Sequence, residues 1–251
     1  MILRLHRLLL SLTVALTVSA QEEELPVAAA LPAGLQIISP RGNEILDSPP
    51  VDIFFDLKNI ILAESGCALR VIVDNHPPLT LYSTARPLTL TNLADGGHTI
   101  RAWLIRPDGT AIRSPQAQAM VRFFLRKKDF QNFIDRGKPY FTVNLPAGDS
   151  YDTDISGQLY VDLLLNAAAQ AAGCQVRYIM ERHTGILDGR STARWPGLMV
   201  GKHKLVLELL DSGGHPILGP FNRVERYFEI RQLLKATPMS VDGDNRPIGQ
   251  P

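Results

Sequence analysis

The chain repeats itself once, and this repetition constrains its fold more than any other feature. Residues 40–124 and 146–228 carry the same landmarks in the same order. Pro40, Leu57, Cys67, Arg70, His98, Gly109 and Phe124 of the first copy align with Pro146, Leu164, Cys174, Arg177, His203, Gly214 and Phe228 of the second, with short gaps confined to loops. A residue that recurs in both copies serves the shared fold before it serves a single active site. Repetition therefore filters the chemistry that the sequence offers.

Within each copy the apolar period is two. Val51, Ile53, Phe55 and Leu57 alternate with Asp52, Phe54, Asp56 and Lys58. His98, Ile100, Ala102 and Leu104 alternate with Thr99, Arg101, Trp103 and Ile105, and His203, Leu205, Leu207 and Leu209 repeat the pattern. Such runs make strands with one face in a core. Turn signals at Asp95-Gly96-Gly97, Pro107-Asp108-Gly109 and Ser212-Gly213-Gly214 punctuate them. The run Ala167 to Ala172 has the composition of a helical turn, but its counterpart over residues 60–65 does not, and both read as loops. Short strands with frequent turns predict an all-β fold: two tandem immunoglobulin-like, fibronectin-type antiparallel sandwiches.

The start of the chain specifies a compartment. Residues 1–20 join a positive segment (Arg4, His6, Arg7) to an apolar run from Leu8 to Val18 and a small-residue cleavage signal, Val18-Ser19-Ala20. The run is too short for an ordinary membrane span of about 20 residues. The expected product is a secreted or periplasmic chain beginning at Gln21, with no membrane span after cleavage. Residues 21–34 then read as a linker, 35–126 as the first sandwich, 127–138 as a connector, 139–231 as the second sandwich and 232–251 as a disordered tail. Phe130, Phe133 and Ile134 sit at helix-like spacing, which predicts one helical turn in the connector, docked between the domains. The formal net charge of +1 drops further when the two leader arginines leave. This near-neutral balance provides no basic face for nucleic acid.

Catalytic constellations are not visible. The sequence has no G-x-S-x-G, no phosphate loop and no dinucleotide fingerprint, so no cofactor is expected. His98 and His203 recur in both copies and are expected to support the fold, not to bind metal. His76, His183 and His215 fall in loops without ligand spacing, so no metal site is expected either. Asp149, Asp152 and Asp154 lack the order of an EF-hand, and Asp52, Asp56, Asp74 and Asp162 read as carboxylates in or near loops. Cys67 and Cys174 occupy one position in separate repeats, which rules out a bridge within a domain. Both are expected as buried free thiols; an interdomain or intermolecular bridge and a reactive thiol are the alternatives.

Trp103 passes the repeat filter, since its counterpart is Glu208. With Arg101 and Thr99 it takes the outward phase of its strand, and the three are the candidate binding residues. They form either a stacking platform for sugar rings or a protein contact, or a patch packed under a loop or the other domain. Trp195 aligns with Leu90 and reads as core.

Two sets of residues carry a family resemblance. They are Leu69-Arg70-Val71-Ile72-Val73-Asp74-Asn75 before Gly97-His98-Thr99-Ile100-Arg101-Ala102, and Leu207-Glu208-Leu209-Leu210-Asp211 before Gly219-Pro220-Phe221-Asn222. Together they resemble uncharacterised exported bacterial proteins built from two such modules, over nearly all of residues 35–231. The first module is also similar to a bacterial domain of unknown function, the DUF4399 type. That domain has a His-rich strand where this chain has Gly66-Cys67-Ala68-Leu69-Arg70. The resemblance implies the sandwich fold and brings no activity with it. The expected function is a non-enzymatic binding or structural module of the cell envelope, with an envelope protein or a polysaccharide as partner. The alternative is a hydrolase accessory or weak metal-dependent enzyme using loop carboxylates and His.

Overall fold

The computed structural model describes residues 33–148, 150–153, 159–195 and 197–232. The expected leader, most of the linker and all but the first residue of the expected tail lie outside these residues. The first sandwich is built from β1 (Gly34–Ser39), β2 (Ile45–Leu46), β3 (Val51–Lys58), β4 (Ala68–Val73), β5 (Leu79–Leu81), β6 (Leu88–Leu90), β7 (Gly96–Ile105) and β8 (Gln118–Leu125). The second is built from β9 (Phe141–Leu145), β10 (Ser150–Thr153), β11 (Leu159–Leu165), β12 (Gln175–Met180), β13 (His183–Leu187), β14 (Ala193–Trp195), β15 (Gly201–Leu210) and β16 (Arg223–Gln232). The sheets are β1-β3-β6 and β2-β8-β7-β4-β5 in the first, and β9-β11-β14 and β10-β16-β15-β12-β13 in the second. Strand for strand, the two orders are the same. Pairing is antiparallel except at β2–β8 and β10–β16, which are parallel. The molecule is a tandem of two fibronectin-type β-sandwiches.

Each sandwich closes on the apolar phase read from the sequence. Ile53, Leu69, Ile100 and Leu104 are fully buried in the first core, and Val176, Leu205, Leu207 and Leu209 in the second. Each such side chain contributes on the order of 1.5–3 kcal/mol by leaving water. The ladders correct the alignment of the copies at two places. Leu57 pairs with Leu35, and it is Leu165, not Leu164, that makes the matching pair with Phe141. His98 pairs with Phe123 and His203 with Phe228, so Phe123 takes the place expected of Phe124.

Local structure departs from expectation in the two linking segments. Residues 167–171 form a short helix (α1, Ala167–Ala171) where a loop was expected. Asn166 caps it by accepting the Ala169 amide at 3.0 Å, and alanine favours the helix. The connector makes turns in place of the expected helical turn, closed by Phe133 N–H to the Phe130 carbonyl and Lys138 N–H to the Asp135 carbonyl. Its polar groups bond to β7 instead: Asp129 accepts the Gly97 amide at 3.0 Å, and the Asn132 carbonyl accepts the Thr99 hydroxyl at 2.5 Å. Gly97 is required there, because a Cβ would lie 2.3 Å from the Asp129 carbonyl oxygen and 2.8 Å from the Phe133 ring. The same position in the second sandwich is Lys202, which is exposed among the described residues.

Cys174 is buried in the second core, whereas Cys67 is half-buried, one residue before β4 begins; both thiols are free. Burial and the nearby Asp211 hold the Cys174 thiol above its ordinary pKa. Trp195 is half-buried against the second core, its ring edge-on to Tyr178 at 4.6 Å.

Candidate functional site

β7 is buried on both faces. Its inward residues fill the first core, and its outward residues Thr99, Arg101, Trp103 and Ile105 are buried too. Of the two readings of this face, the open platform is corrected and the packed patch holds: Trp103 is 1% and Arg101 4% exposed, and Thr99 is fully buried. Thr99 lies under the connector, while Arg101 and Trp103 lie against β9 of the second sandwich. The seam has its own small core, in which Trp103 packs with Ala68, Ile72, Ile105, Ala111 and Leu164. Leu164 reaches it because it alternates with Leu163 and Leu165 along β11 and so faces away from the second core.

A polar network crosses the same seam. The Trp103 indole donates to Asn144 Oδ1 at 2.9 Å, and Arg70 donates to the Asn144 carbonyl at 2.9 Å. Asn144 in turn donates to the Gly109 carbonyl at 2.9 Å and to Asp162 Oδ2 at 2.6 Å. Asp162, expected near a loop, is fully buried on β11. Its Oδ2 also accepts the Ala111 amide at 2.8 Å, and its Oδ1 accepts Thr192 Oγ1 at 3.1 Å together with the Arg113 guanidinium. One carboxylate thus takes two donors from each sandwich.

Three arginines have no such partner. Arg70, Arg101 and Arg226 are 7%, 4% and 8% exposed, and none is in an ion pair among the described residues. Each leaves Nε without a hydrogen bond, and Arg226 leaves Nη2 as well. Arg101 is tied to the Phe141 carbonyl and Thr142 Oγ1 at 3.0 Å each and to the Asp74 carbonyl at 2.6 Å, and burial pushes its guanidinium down to about 10. Arg226 occupies the core phase of β16 opposite Leu205, where the first sandwich has Val121 opposite Ile100. An unpaired buried charge is costly, and apolar replacement of buried charges is often stabilising by about 1–4 kcal/mol. Arg226→Met is accordingly expected to raise unfolding stability by about 1–3 kcal/mol. A lower denaturant midpoint in that variant would show that the guanidinium is satisfied in solution.

The recurrent histidines share one geometry. His98 Nδ1 lies 2.8 Å from Asp74 Oδ2 and Nε2 lies 2.8 Å from the Ala94 carbonyl; His203 meets Glu181 at 3.2 Å and the Met199 carbonyl at 2.8 Å. Both nitrogens of each ring face acceptors. Burial opposes charge on His98, but the bonds to Asp74 and Ala94 outweigh it and hold its pKa above the ordinary value. Stability from this site is therefore full below the unfolded pKa of about 6.5 and is lost as pH rises through the higher folded value. Thermal melts across that interval should show Tm falling on the alkaline side, with a shallower fall in Asp74→Asn. Equal slopes in the two proteins would refute the coupling.

A cleft of about 280 Å³ opens along the seam. Arg101 and Trp103 line it, joined by Gln118, Arg136, Tyr140 and Thr142. Two of the three candidate binding residues therefore wall a cavity, while Thr99 does not. Among the described residues, no three His, Cys, Asp or Glu side chains converge. Asp149 and Asp154 lie outside the described residues.

The second sandwich treats its corresponding outer face differently. Lys204, Val206 and Glu208 stand where Thr99, Arg101 and Trp103 stand in the first. Glu208 binds Arg177 at 2.6 Å and Arg223 at 3.1 Å, and Glu225 joins Arg223 and Lys204 at 2.5 and 2.9 Å. These pairs cover the sheet with charge.

Sheets, seam and cleft together define a tandem β-sandwich protein of the immunoglobulin-like and fibronectin-type class. No protein-family model and no curated protein matches the chain. Among solved structures it is similar to the fibronectin(III)-like modules of CbhA from Clostridium thermocellum, at 14% identity over 79% of this chain and 94% of that one, with a TM-score of 0.29. It is also similar to a putative membrane anchored protein from Corynebacterium diphtheriae, at 12% identity over 83% of this chain and 55% of that one, with a TM-score of 0.31. No helix among the described residues is long and apolar enough to cross a membrane.

Proposed function

We propose that this chain is an exported, non-enzymatic module of the cell envelope that binds a partner or holds a structural position there. The seam carries the reading. Two sandwiches joined by a buried tryptophan, a buried carboxylate and a continuous hydrogen-bond network present their loops and outer faces at a fixed angle. A rigid display of surfaces suits recognition or spacing, whereas domain closure around a substrate needs a seam that moves. The side chains with the strongest chemical potential are engaged in the fold: both ring nitrogens of His98 and His203 face acceptors, and Asp162 is bonded on both oxygens. Residues 1–20 support export, with Gln21 as the mature N-terminus.

Capture from an envelope extract by the tagged mature chain, run beside a glycan array, tests the reading. A specific envelope protein or polysaccharide retained by the wild type supports it. Hydrolytic turnover abolished by replacing loop carboxylates, or a chain that stays in the cytoplasm with its leader intact, would overturn it.

A further inference from the structure

The seam cleft is lined by two cations that also hold main-chain carbonyls, Arg101 those of Asp74 and Phe141 and Arg136 that of Met120. Its walls contain two guanidinium groups, Arg101 and Arg136, a phenol, Tyr140, and the amide of Gln118, and no carboxylate. Tyr140 lies within electrostatic reach of both arginines. Arg101 is more than nine-tenths buried and keeps its Nε without a hydrogen-bond partner. Trp103, Met120 and Leu164 supply an apolar wall beside these donors. Convergent cations and donors without an acid recognise an anion, and the planar guanidinium matches a carboxylate better than it matches any neutral group. The apolar wall calls for an organic body in place of a bare ion. At about 280 Å³ the space lies just below the range of drug-sized sites and suits one sugar or amino-acid residue.

We propose that the cleft binds a small organic carboxylate, held by Arg101 and Arg136 with Tyr140 as a further donor, its body resting on Trp103 and Met120. The proposal rests on the reading of the chain as a binding module and names the ligand chemistry of one site in it. The carboxylate has two natural sources, an acidic sugar and the terminus of a peptide. Glucuronate and N-acetylglycine represent them, with glucose and N-acetylglycinamide as their neutral counterparts.

Titration of the mature chain, followed by the amide resonances of Arg101 to Trp103 and of Tyr140 to Thr142, reads occupancy directly. Saturable shifts with either charged probe, absent with its neutral counterpart, are expected, and whichever charged probe binds more tightly identifies the source. Arg136 is solvent-exposed and its bond to the Met120 carbonyl is a surface one, so Arg136→Gln should change melting little while weakening binding about tenfold, the loss of one charge-assisted hydrogen bond. Silence with both charged probes, equal response to the neutral ones, equal response to inorganic phosphate, or an unchanged Kd in Arg136→Gln would each overturn the proposal. Envelope capture that persists while the cleft stays silent removes this site alone and leaves the binding module standing.

Discussion

Asp162→Ala is expected to be among the most destabilising single changes in the molecule, lowering unfolding stability by about 3–5 kcal/mol, the usual penalty for breaking a buried charge pair. The size follows from what the carboxylate holds. It accepts from Ala111 and Arg113 of the first sandwich and from Asn144 and Thr192 of the second, so its removal takes an acceptor from four donors at once. Asp162→Asn tests the electrostatics with shape preserved. One of its two terminal atoms becomes a donor facing donors, so it should recover only part of the loss. Chemical denaturation of the three proteins checks this, and a full rescue by Asn would mean that the charge of Asp162 contributes little.

Trp103→Ala should lose a comparable amount, about 3–5 kcal/mol, as large-to-small core substitutions of aromatic residues do. It empties the centre of the seam cluster and leaves Asn144 Oδ1 without its indole donor. Neither sandwich core contains Trp103, so the damage should fall on the coupling between them. The wild type is expected to melt in one transition and the variant in two, each sandwich unfolding by itself. Calorimetry decides the matter. A single transition at an unchanged temperature would remove the seam as the source of rigidity.

Much of the fold was legible because strand phase is a local property. The alternation in 98–105 correctly put Ile100, Ala102 and Leu104 into a core. The same alternation could say nothing about what covers Arg101 and Trp103, since the cover, β9, lies about forty residues further along. Runs of like residues hid the register. Leu163-Leu164-Leu165 offers three leucines to match Leu57, and only the ladder pairing, which similarity cannot see, selects the last. Phe123-Phe124 offers two phenylalanines, and choosing Phe124 aligns Arg226 with Arg122, a match that looks like repetition. With Phe123 chosen, Arg226 aligns with Val121 and becomes an anomaly inside a core. The signal for Asp162 was present in the strand phase, where Tyr160, Asp162 and Leu164 oppose Val161, Leu163 and Leu165. Its significance depends on partners from β9 and from the first sandwich, which no local pattern reveals.

The seam joins unlike surfaces: the five-stranded face of one sandwich meets the three-stranded face of the next. Such head-to-tail contacts have no intrinsic stopping point, and repetition without closure generates filaments. The ion pairs that Glu208 and Glu225 make on the second five-stranded face act on that problem as a chain terminator acts on a polymer. Docking a further three-stranded face there would strip water from five charged side chains in four pairs and would gain no indole in return. The two five-stranded faces thus differ in kind, one packed into the seam and the other covered with paired charge. The substitution of glutamate for tryptophan at a single ladder position marks the difference between the two.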